Sequence, residues 1–537
     1  MKAGARMGPS SALAHGGKAS SMTSSETEVL IVGAGPTGLV LALWLKRLGV
    51  GLRIIDKAPA PGETSRAIAV QARTLEFYRQ FGIVDDALAA GIRVERLAMR
   101  TPSGTAATLK LGDFGAGLSP YPFAFALPQD IHERILIGHL EKAGVAVERP
   151  AELVGFEQDP AGVTATVMKD GASEVIRAAY LCGADGASST VRHGLKLGFP
   201  GGTYEQCFYV ADVEAGNAPS GLNVSLDTHG FAIVLPVRQS GSVRLIGVVP
   251  DADAASEAIG FETIRAEVER ITGVTVSAVN WFSTYRLHHR VAEHFRVARV
   301  FLAGDAGHIH SPAGGQGMNT GIGDAVNLGW KLAAVLGGRG DARLLDSYEP
   351  ERIVFARRLI KSTDQVFRVI TSRSALVGLW RRYLLPKMIA LFVANRAGAR
   401  LAFRTVSQIG IAYGDSFLSR GAAGRVRGGD RLPYVEGLAD VGEGDNFAPL
   451  SSLDWQIHVY GAASPAFRAA IAPTGIPIHA FAWTPGAGEA GLSRDAAYLV
   501  RPDGHVAVAV DSQDPAPLLG YIAEFAIKIS AATPEAQ

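Results

Sequence analysis

The sequence predicts an α/β fold built on a parallel sheet, interrupted by a second, mainly β unit and followed by a third. Three observations predict it. An apolar run, Val29–Val32, passes through Gly33-Ala34-Gly35-Pro36-Thr37-Gly38 into a stretch with helical spacing. A second apolar run, Val300–Ala303, passes through a glycine-rich loop into another helical stretch that begins near Gly317. Runs of alternating apolar and polar residues with the period of strands fill 205–290 and return over 455–510.

The bulk composition narrows the function classes. The chain has 537 residues, 47% hydrophobic and 19% charged, which suits a globular protein of roughly three or four domains. A net charge of +1 gives no whole-protein attraction to nucleic acid or to an anionic membrane. Only two cysteines are present, Cys182 and Cys207, so a disulfide scaffold is excluded and a reducing, cytoplasmic setting is expected. Residues 1–26 are rich in Ser, Gly and Ala, lack the apolar centre of a signal peptide and read as a disordered extension, with Met22 an alternative start. The longest apolar stretch, Ile31–Leu45, holds three glycines and a proline and is too short to span a bilayer, so no membrane partner is expected. No Cys or His cluster has the spacing of a metal site, and no Ser-His pairing marks a nucleophile.

The first motif is a dinucleotide fingerprint in its full context. A strand (Val29–Val32), Gly33, Gly35 and Gly38 as G-x-G-x-x-G, a helix from Leu39 to Leu48 stopped by Gly49, and a second strand, Leu52–Ile55, ending in Asp56 follow one another. Gly33 makes the tight turn, Gly35 lets backbone touch a pyrophosphate, and Gly38 lets helix and strand pack closely. The helix N-terminus offers free N–H groups to the phosphates, and Asp56 is placed to accept from ribose hydroxyls. Alone, this motif does not separate NAD from FAD. A second match, Gly486, Gly488 and Gly491, follows Pro485 rather than a strand and reads as a loop.

The glycine-rich segment 304–332, GDAGHIHSPAGGQGMNTGIGDAVNLGWKL, places Asp305 at the end of a strand and feeds a second helix N-terminus. Two anion-favouring helix ends and two acids suggest one long ligand. A flavin fits, because its N1–C2=O edge becomes anionic on reduction and a helix N-terminus stabilises that charge. Asp305 would accept from the ribitol chain.

These residues resemble the single-component (class A) FAD-dependent aromatic hydroxylases of the para-hydroxybenzoate hydroxylase type. Segment 304–332 resembles that family's GD motif, and LCGADGASSTVR (181–192) its DG motif, with Asp185 and Gly186 after a strand. TSRAIAVQARTLEFYRQFGI (64–83) resembles the segment that sets an arginine, here Arg66, against the flavin, and LPQ (127–129) supplies the adenine-side Gln129. The likeness runs from about 26 to about 365 and departs at Gly307, where the family usually has Ala. It implies that Gly33, Gly35, Pro36, Thr37, Gly38, Asp56, Lys57, Arg66, Gln129, Leu153 and Asp185 line a tightly but non-covalently bound FAD. It implies likewise that Asp305 holds the ribitol, that Met318 and Asn319 present backbone to the pyrimidine edge, and that Gly304, Gly315 and Gly317 belong to the same cofactor site. Pro312 and Arg66 would border the reacting face. The implied chemistry is aromatic hydroxylation through a flavin C4a-hydroperoxide, with NAD(P)H as transient reductant, O2 as oxidant and a small aromatic molecule as substrate.

The resemblance also implies the architecture: a Rossmann-type FAD-binding domain in two parts (27–200 and 291–365), an inserted mixed β-sheet substrate domain (201–290), a helical linker (366–430) and a thioredoxin-like C-terminal domain (431–537). Candidate pocket residues in the inserted sheet are Tyr204, Phe208, Phe231, Val234, Pro236 and Tyr285. His288, His289 and His310 are candidate bases for a phenol proton, against an ordinary structural role. Residues 366–404 read as basic, apolar helices broken at Pro386, and serve as a packed linker or a dimer contact in preference to a membrane-surface element. In the C-terminal unit, strands at 455–461, 479–483 and 496–510 are followed by a helix from Asp514 to Ile529. That unit has no cysteine, so it does no thiol–disulfide chemistry. Other readings remain open at this level: an FAD halogenase, epoxidase or reductase on the same fold, or a flavin-binding sensor that does not turn over.

Overall fold

The computed structural model describes residues 23–62, 67–101, 104–227, 231–237, 241–250, 259–311, 313–372, 374–438 and 444–530. Its first sheet runs, in spatial order, Arg296–Val297, Val300–Leu302, Ala172–Gly183, Thr23–Val32, Leu52–Ile55 and Val147–Glu148. The last five of these strands are mutually parallel, and a meander from Ala151–Gln158 and Val163–Lys169 adds antiparallel to Ala172–Gly183. Val29, Leu30 and Ile31 are wholly buried, as the unbroken apolar run requires of a strand covered on both faces. The first strand begins at Thr23, so the expected disordered extension is too long by four residues, and residues 1–22 lie outside the described ones.

The helices Pro36–Arg47 and Gly317–Leu336 pack against each other beside this sheet. Their approach is close at Gly329, where an added Cβ would stand 3.1 Å from Cβ of Trp44. Small residues on the second helix therefore let the two glycine-rich loops sit side by side.

The second sheet is mixed: His308–Ile309, Ala278–Val291, Gly201–Glu214, Val243–Val248, Phe231–Pro236, Leu222–Leu226, Arg96–Thr101 and Gly104–Lys110. Its core is the expected inserted segment, but it recruits the hairpin 96–110 from before that segment and the short strand 308–309 from after it. The stretch 205–290 is also not all strand. Phe261–Thr272 is a helix whose Phe261, Ile264 and Val268 are buried on one face of the sheet, and it stops at Gly273 with φ +70. The spacing of those three apolar residues carries the helical signal.

Four helices follow the glycine-rich region: Tyr348–Thr371, Ala375–Tyr383, Leu385–Ala394 and Arg396–Val406. Pro386 sits in the first turn of the third, which is where a proline is tolerated and why the run breaks there.

The C-terminal sheet is ordered Val426–Arg427, Arg420–Ala423, Val506–Val510, Ala497–Val500, Gln456–Tyr460 and Ile478–Phe481. Gln456–Tyr460 is parallel to Ile478–Phe481 and antiparallel to Ala497–Val500, with helices Pro465–Ile471, Pro485–Ala490 and Ala516–Glu524 between and after them. The elements follow the order strand, helix, strand, helix, strand, strand, helix, and the hairpin 420–427 extends the sheet. The second glycine match is not a loop, since Gly486 and Gly488 lie in the Pro485–Ala490 helix, which ends at Gly491 with φ +103. Gly488 faces the Trp483 ring, so its smallness serves packing. The terminal helix is shorter than expected, Ala516–Glu524.

A buried ionic seam joins this unit to the first. Glu351 accepts from Arg501 (2.8 and 3.0 Å), Lys331 (2.8 Å), Asn327 (2.7 Å) and Ser416 (2.7 Å). Arg501 also holds Asp503, whose carboxylate accepts from the indole N–H of Trp330 at 3.2 Å and the backbone N–H of His505 at 3.3 Å. Nearby, Arg431 of the C-terminal side is bidentate on the buried Glu76.

Candidate FAD site

Register places the motifs. Val32 is level with Gly183 on one side and Ile55 on the other, and Gly183 is level with Leu302. Four adjacent parallel strands therefore end together, and Gly33, Ala184, Ala303 and Asp56 begin the four connections that leave that edge. In an open α/β sheet this carboxyl edge is where ligands bind.

The three glycines of the fingerprint do different work. Gly33 has φ +103, and a Cβ there would lie 2.3 Å from the carbonyl oxygen of Ala184, so the first turn and the DG turn touch. A Cβ on Gly38 would lie 2.0 Å from the Gly33 carbonyl, which demands glycine for helix-on-strand packing. A Cβ on Gly35 would meet nothing within 4 Å, so this glycine faces open space at the start of the Pro36–Arg47 helix. That is the space a pyrophosphate needs. Pro36 holds the first helical position, where its missing N–H costs nothing. Thr37 turns inward: its hydroxyl lies where Cβ atoms of Gly304 (2.6 Å) and Gly321 (2.3 Å) would fall, locking the first loop to the second.

Asp56 accepts from the backbone N–H of Ala34 (2.7 Å) and of Ala58 (2.8 Å) and lies 3.2 Å from Arg149. Its carboxylate, half-buried, shapes the loop, and a carboxylate has capacity for further donors. Arg149 belongs to no sequence motif; its guanidinium also reaches carbonyls of Ala34, Ala58 and Ala60, stapling this corner. Lys57 is exposed beside it. Gln129 opens a helix, accepts from Ala67 N–H (3.2 Å) and donates to Glu133 (2.8 Å). Leu153 is buried in the apolar core.

The DG turn is built on Asp185, which accepts from the Ser189 hydroxyl (2.6 Å) and Val191 N–H (3.2 Å). Arg192 then donates to the Ala306 carbonyl (2.9 Å), binding the DG turn to the GD loop.

The GD loop rests on a charged platform. Asp324 is buried and accepts from Gly304 N–H (2.9 Å), His308 Nε2 (2.7 Å) and Arg352 Nε (2.6 Å). Burial alone would raise its carboxyl, but Arg352 and His308 outweigh burial and hold it below the usual range. Asp305 is exposed at the tip, and Gly304 and Gly315 need their positive φ of +60 and +63. The Gly317–Leu336 helix follows; in its first turn the N–H groups of Gly317, Met318 and Asn319 have no acceptor within the helix. Asn319 does more than offer backbone. Its side chain accepts from Gln71 N–H and the Thr74 hydroxyl, both 2.8 Å, and donates to the carbonyls of Ala69 (2.9 Å) and Gly315 (2.8 Å). It ties the Ala72–Gln80 helix to the start of the second nucleotide helix.

Arg66 and Pro312 lie outside the described residues. Of the pocket candidates, Phe208, Phe231 and Tyr285 meet in one apolar cluster with Tyr204 and Leu287. Val234 points the other way, into the cluster beneath the Phe261–Thr272 helix, and Pro236, two residues on, shares its face. Of the histidines, His288 bonds Thr203 (2.7 Å) and His289 packs on Tyr204. His310 donates from Nδ1 to the Ser311 carbonyl (2.8 Å), leaving Nε2, near Gly317, with no protein partner among the described residues. Burial lowers its pKa to about 4, so it is a neutral acceptor.

Two helix N-termini, two acids and an open backbone cradle on one sheet edge define a dinucleotide-binding α/β flavoprotein. Residues 26–363 match the family model described as FAD binding domain. A 6-methylpretetramide 4-monooxygenase of Streptomyces rimosus is 35% identical over 73% of this chain and 71% of its own length. A flavin-dependent monooxygenase of Mycobacteroides abscessus is 33% identical over 90% of this chain and 97% of its own. The solved structure of OxyS, an anhydrotetracycline hydroxylase from Streptomyces rimosus, superposes with a TM-score of 0.75 at 27% identity, covering 93% of this chain and 99% of that one. A Diels-Alderase of pyrroindomycin biosynthesis shares the fold too, with a TM-score of 0.72 at 29% identity and coverage of 93% and 99%. The chain belongs to the FAD-binding flavoprotein monooxygenases, the class A aromatic hydroxylases. Among the described residues no helix is long and apolar enough to cross a membrane, and no group of three His, Cys, Asp or Glu could hold a metal ion.

Proposed function

We propose that this chain hydroxylates a small aromatic molecule, phenolic or polyketide-like, using NAD(P)H and O2. One observation carries the reading. His308–Ile309 is an edge strand of the second sheet, paired with Arg290 and Val291, and the same segment runs on into the Gly317 helix. The loop that would seat the flavin and the sheet whose aromatic cluster would receive the substrate thus share one wall. FAD would supply electron storage and oxygen activation; Gly33–Gly38, Asp56 and Asp305 would hold it. The chain's own part is positional. Helix dipoles favour negative charge at the pyrophosphate and at the Gly317 end, the aromatic cluster excludes water, and neutral His310 offers a lone pair at that end. Two of the relatives act on a pretetramide and an anhydrotetracycline, which favours a fused-ring substrate here.

The test uses purified flavin-loaded protein with NADPH, O2 and a panel of phenols and polyketide-like aromatics. NADPH oxidation accelerated by a compound that gains one oxygen atom is the expected result. Flavin-loaded protein that oxidises NADPH without any compound raising the rate or gaining oxygen would overturn it, and would favour a cyclase or sensor role on the shared fold.

A further inference from the structure

A cleft of about 360 Å³ lies away from the candidate FAD site, between the Arg396–Val406 helix, the turn at Gly424 and Arg425, and the Pro485–Ala490 helix. Its charge is unbalanced. Four arginines line it, Arg400, Arg404, Arg425 and Arg431, against the carboxylates of Asp430 and Glu489. Arg431 is already bidentate on Glu76. Asp430 is turned to the Arg427 N–H at 2.9 Å, and Glu489 stands 4.0 Å from Arg396, outside the lining. Among the described residues no carboxylate comes within salt-bridge distance of Arg400, Arg404 or Arg425.

Arg400 shares the lining of this cleft with Arg404 and Arg425. The Arg400 pKa is lowered, first by partial burial and then by the positive charges of Arg396 and Arg404, with Glu489 opposing in part and Arg425 adding to the lowering. Arg400 and Arg404 are one helical turn apart on the same face, and Arg425 approaches from the opposite wall, where the carbonyls of Gly488 (3.3 Å) and Glu489 (2.5 Å) hold its guanidinium. Guanidiniums that line one cleft match phosphoryl oxygens, and a bound anion would offset their like charges. The volume lies in the range of small-ligand pockets. Through Arg404 and Gly410–Ala412 the cleft adjoins a cavity of about 520 Å³ that is lined by Gln316, the residue before the second nucleotide helix.

We propose that this cleft binds a phosphorylated small anion of the diphosphate class, held by Arg400, Arg404 and Arg425. The diphosphate belongs either to a nicotinamide dinucleotide or to a free nucleotide. The inference does not depend on the hydroxylase reading, since it concerns residues outside the flavin site.

Isothermal titration of flavin-loaded protein at low ionic strength tests it, with inorganic pyrophosphate, ADP, NADP+ and, as the uncharged control, adenosine. Pyrophosphate and ADP are expected to bind, to be released by added salt and to leave the flavin spectrum unchanged, while adenosine does not bind. The double variant R400E/R425E is expected to weaken pyrophosphate binding at least tenfold, on the order of one charge-assisted hydrogen bond, with flavin content and melting temperature retained. R400Q/R425Q, with its milder change, serves if the charge reversal disturbs folding. NADP+ binding tighter than ADP identifies the dinucleotide as occupant; equal binding identifies a free-nucleotide site. Absence of pyrophosphate binding at millimolar concentration, or equal binding by wild type and variant, overturns the proposal. Flavin content and substrate-stimulated NADPH oxidation, read on the same samples, report separately on the catalytic reading.

Discussion

Gly35 and Gly38 stand three residues apart in one motif, and the structure gives their substitution opposite consequences. At Gly38 an added methyl would lie 2.0 Å from the Gly33 carbonyl oxygen, when ordinary contact begins near 3.4 Å. The Pro36–Arg47 helix would have to retreat by more than an ångström within a core where Leu39, Val40 and Leu41 are wholly buried. Overpacking of this kind costs about 1–3 kcal/mol or more, so G38A is expected at the upper end of that range or unfolded. At Gly35 the methyl meets nothing, and φ −78, ψ −178 is extended backbone open to alanine. G35A should leave the apoprotein as stable as wild type, or more stable by about 0.4–1 kcal/mol through the unfolded chain. Its methyl would instead enter the space of the pyrophosphate and raise the Kd for FAD at least tenfold, about 1.4 kcal/mol. Urea unfolding of the apoprotein and flavin-fluorescence titration separate the two effects. If G35A binds FAD like wild type, or G38A unfolds like wild type, the division of labour within the motif is wrong.

The side chain of Asn319 is 1% exposed and makes four hydrogen bonds, so N319A should lose about 2–4 kcal/mol of stability and shed flavin on gel filtration. N319D should be no better, because its second oxygen would face the carbonyls of Ala69 and Gly315; flavin retention in either variant equal to wild type refutes the role. Removing the charge of Glu351 leaves Lys331 and Arg501 buried with less compensation, so E351Q should cost about 3 kcal/mol or more, and exposed E489Q under about 0.5, in urea midpoints. His132, His310 and His505 are each held near pH 4 by burial, below the ordinary 6.5. The unfolded chain binds more protons between those values, so their contribution to stability should be fully present above about 6.5 and lost as pH falls toward 4; a urea midpoint that is flat between pH 7 and 5 contradicts this.

The parts legible in the sequence are those where local chain chemistry and function coincide. Each apolar run that stops at a glycine-rich turn proved to be a parallel strand, and Gly33, Gly35 and Gly38 could be given separate jobs before any contact was known. What the sequence hid was long-range. Asn319 reads as a backbone donor, and its side-chain partners at Ala69, Gln71 and Thr74 are distant in the chain. Asp324, His308 and Arg352 each read as ordinary helix or strand residues, and only the fold brings them under Gly304. Arg149, beside a short strand, carries no motif at all. Val234 lies in a different cluster from Phe208, Phe231 and Tyr285, since alternation along a strand tells which residues share a face but not which face meets a ligand. The Phe261–Thr272 helix, by contrast, was readable from its spacing and was lost in a region of stronger strand signals.

The order of strands across the first sheet sets a timetable for synthesis. Thr23–Val32 takes as neighbours Leu52–Ile55 and Ala172–Gly183, and Val300–Leu302 closes the row beyond. At about 5–20 residues per second, the roughly 270 residues between Val32 and Leu302 occupy a ribosome for roughly 15–55 s. Glu351 waits longer still, since Arg501 emerges near the end of the chain. During that interval the nascent chain carries an open apolar strand edge, and the seam at Glu351 closes only once Arg501 is made, so this protein should lean on holding chaperones until then.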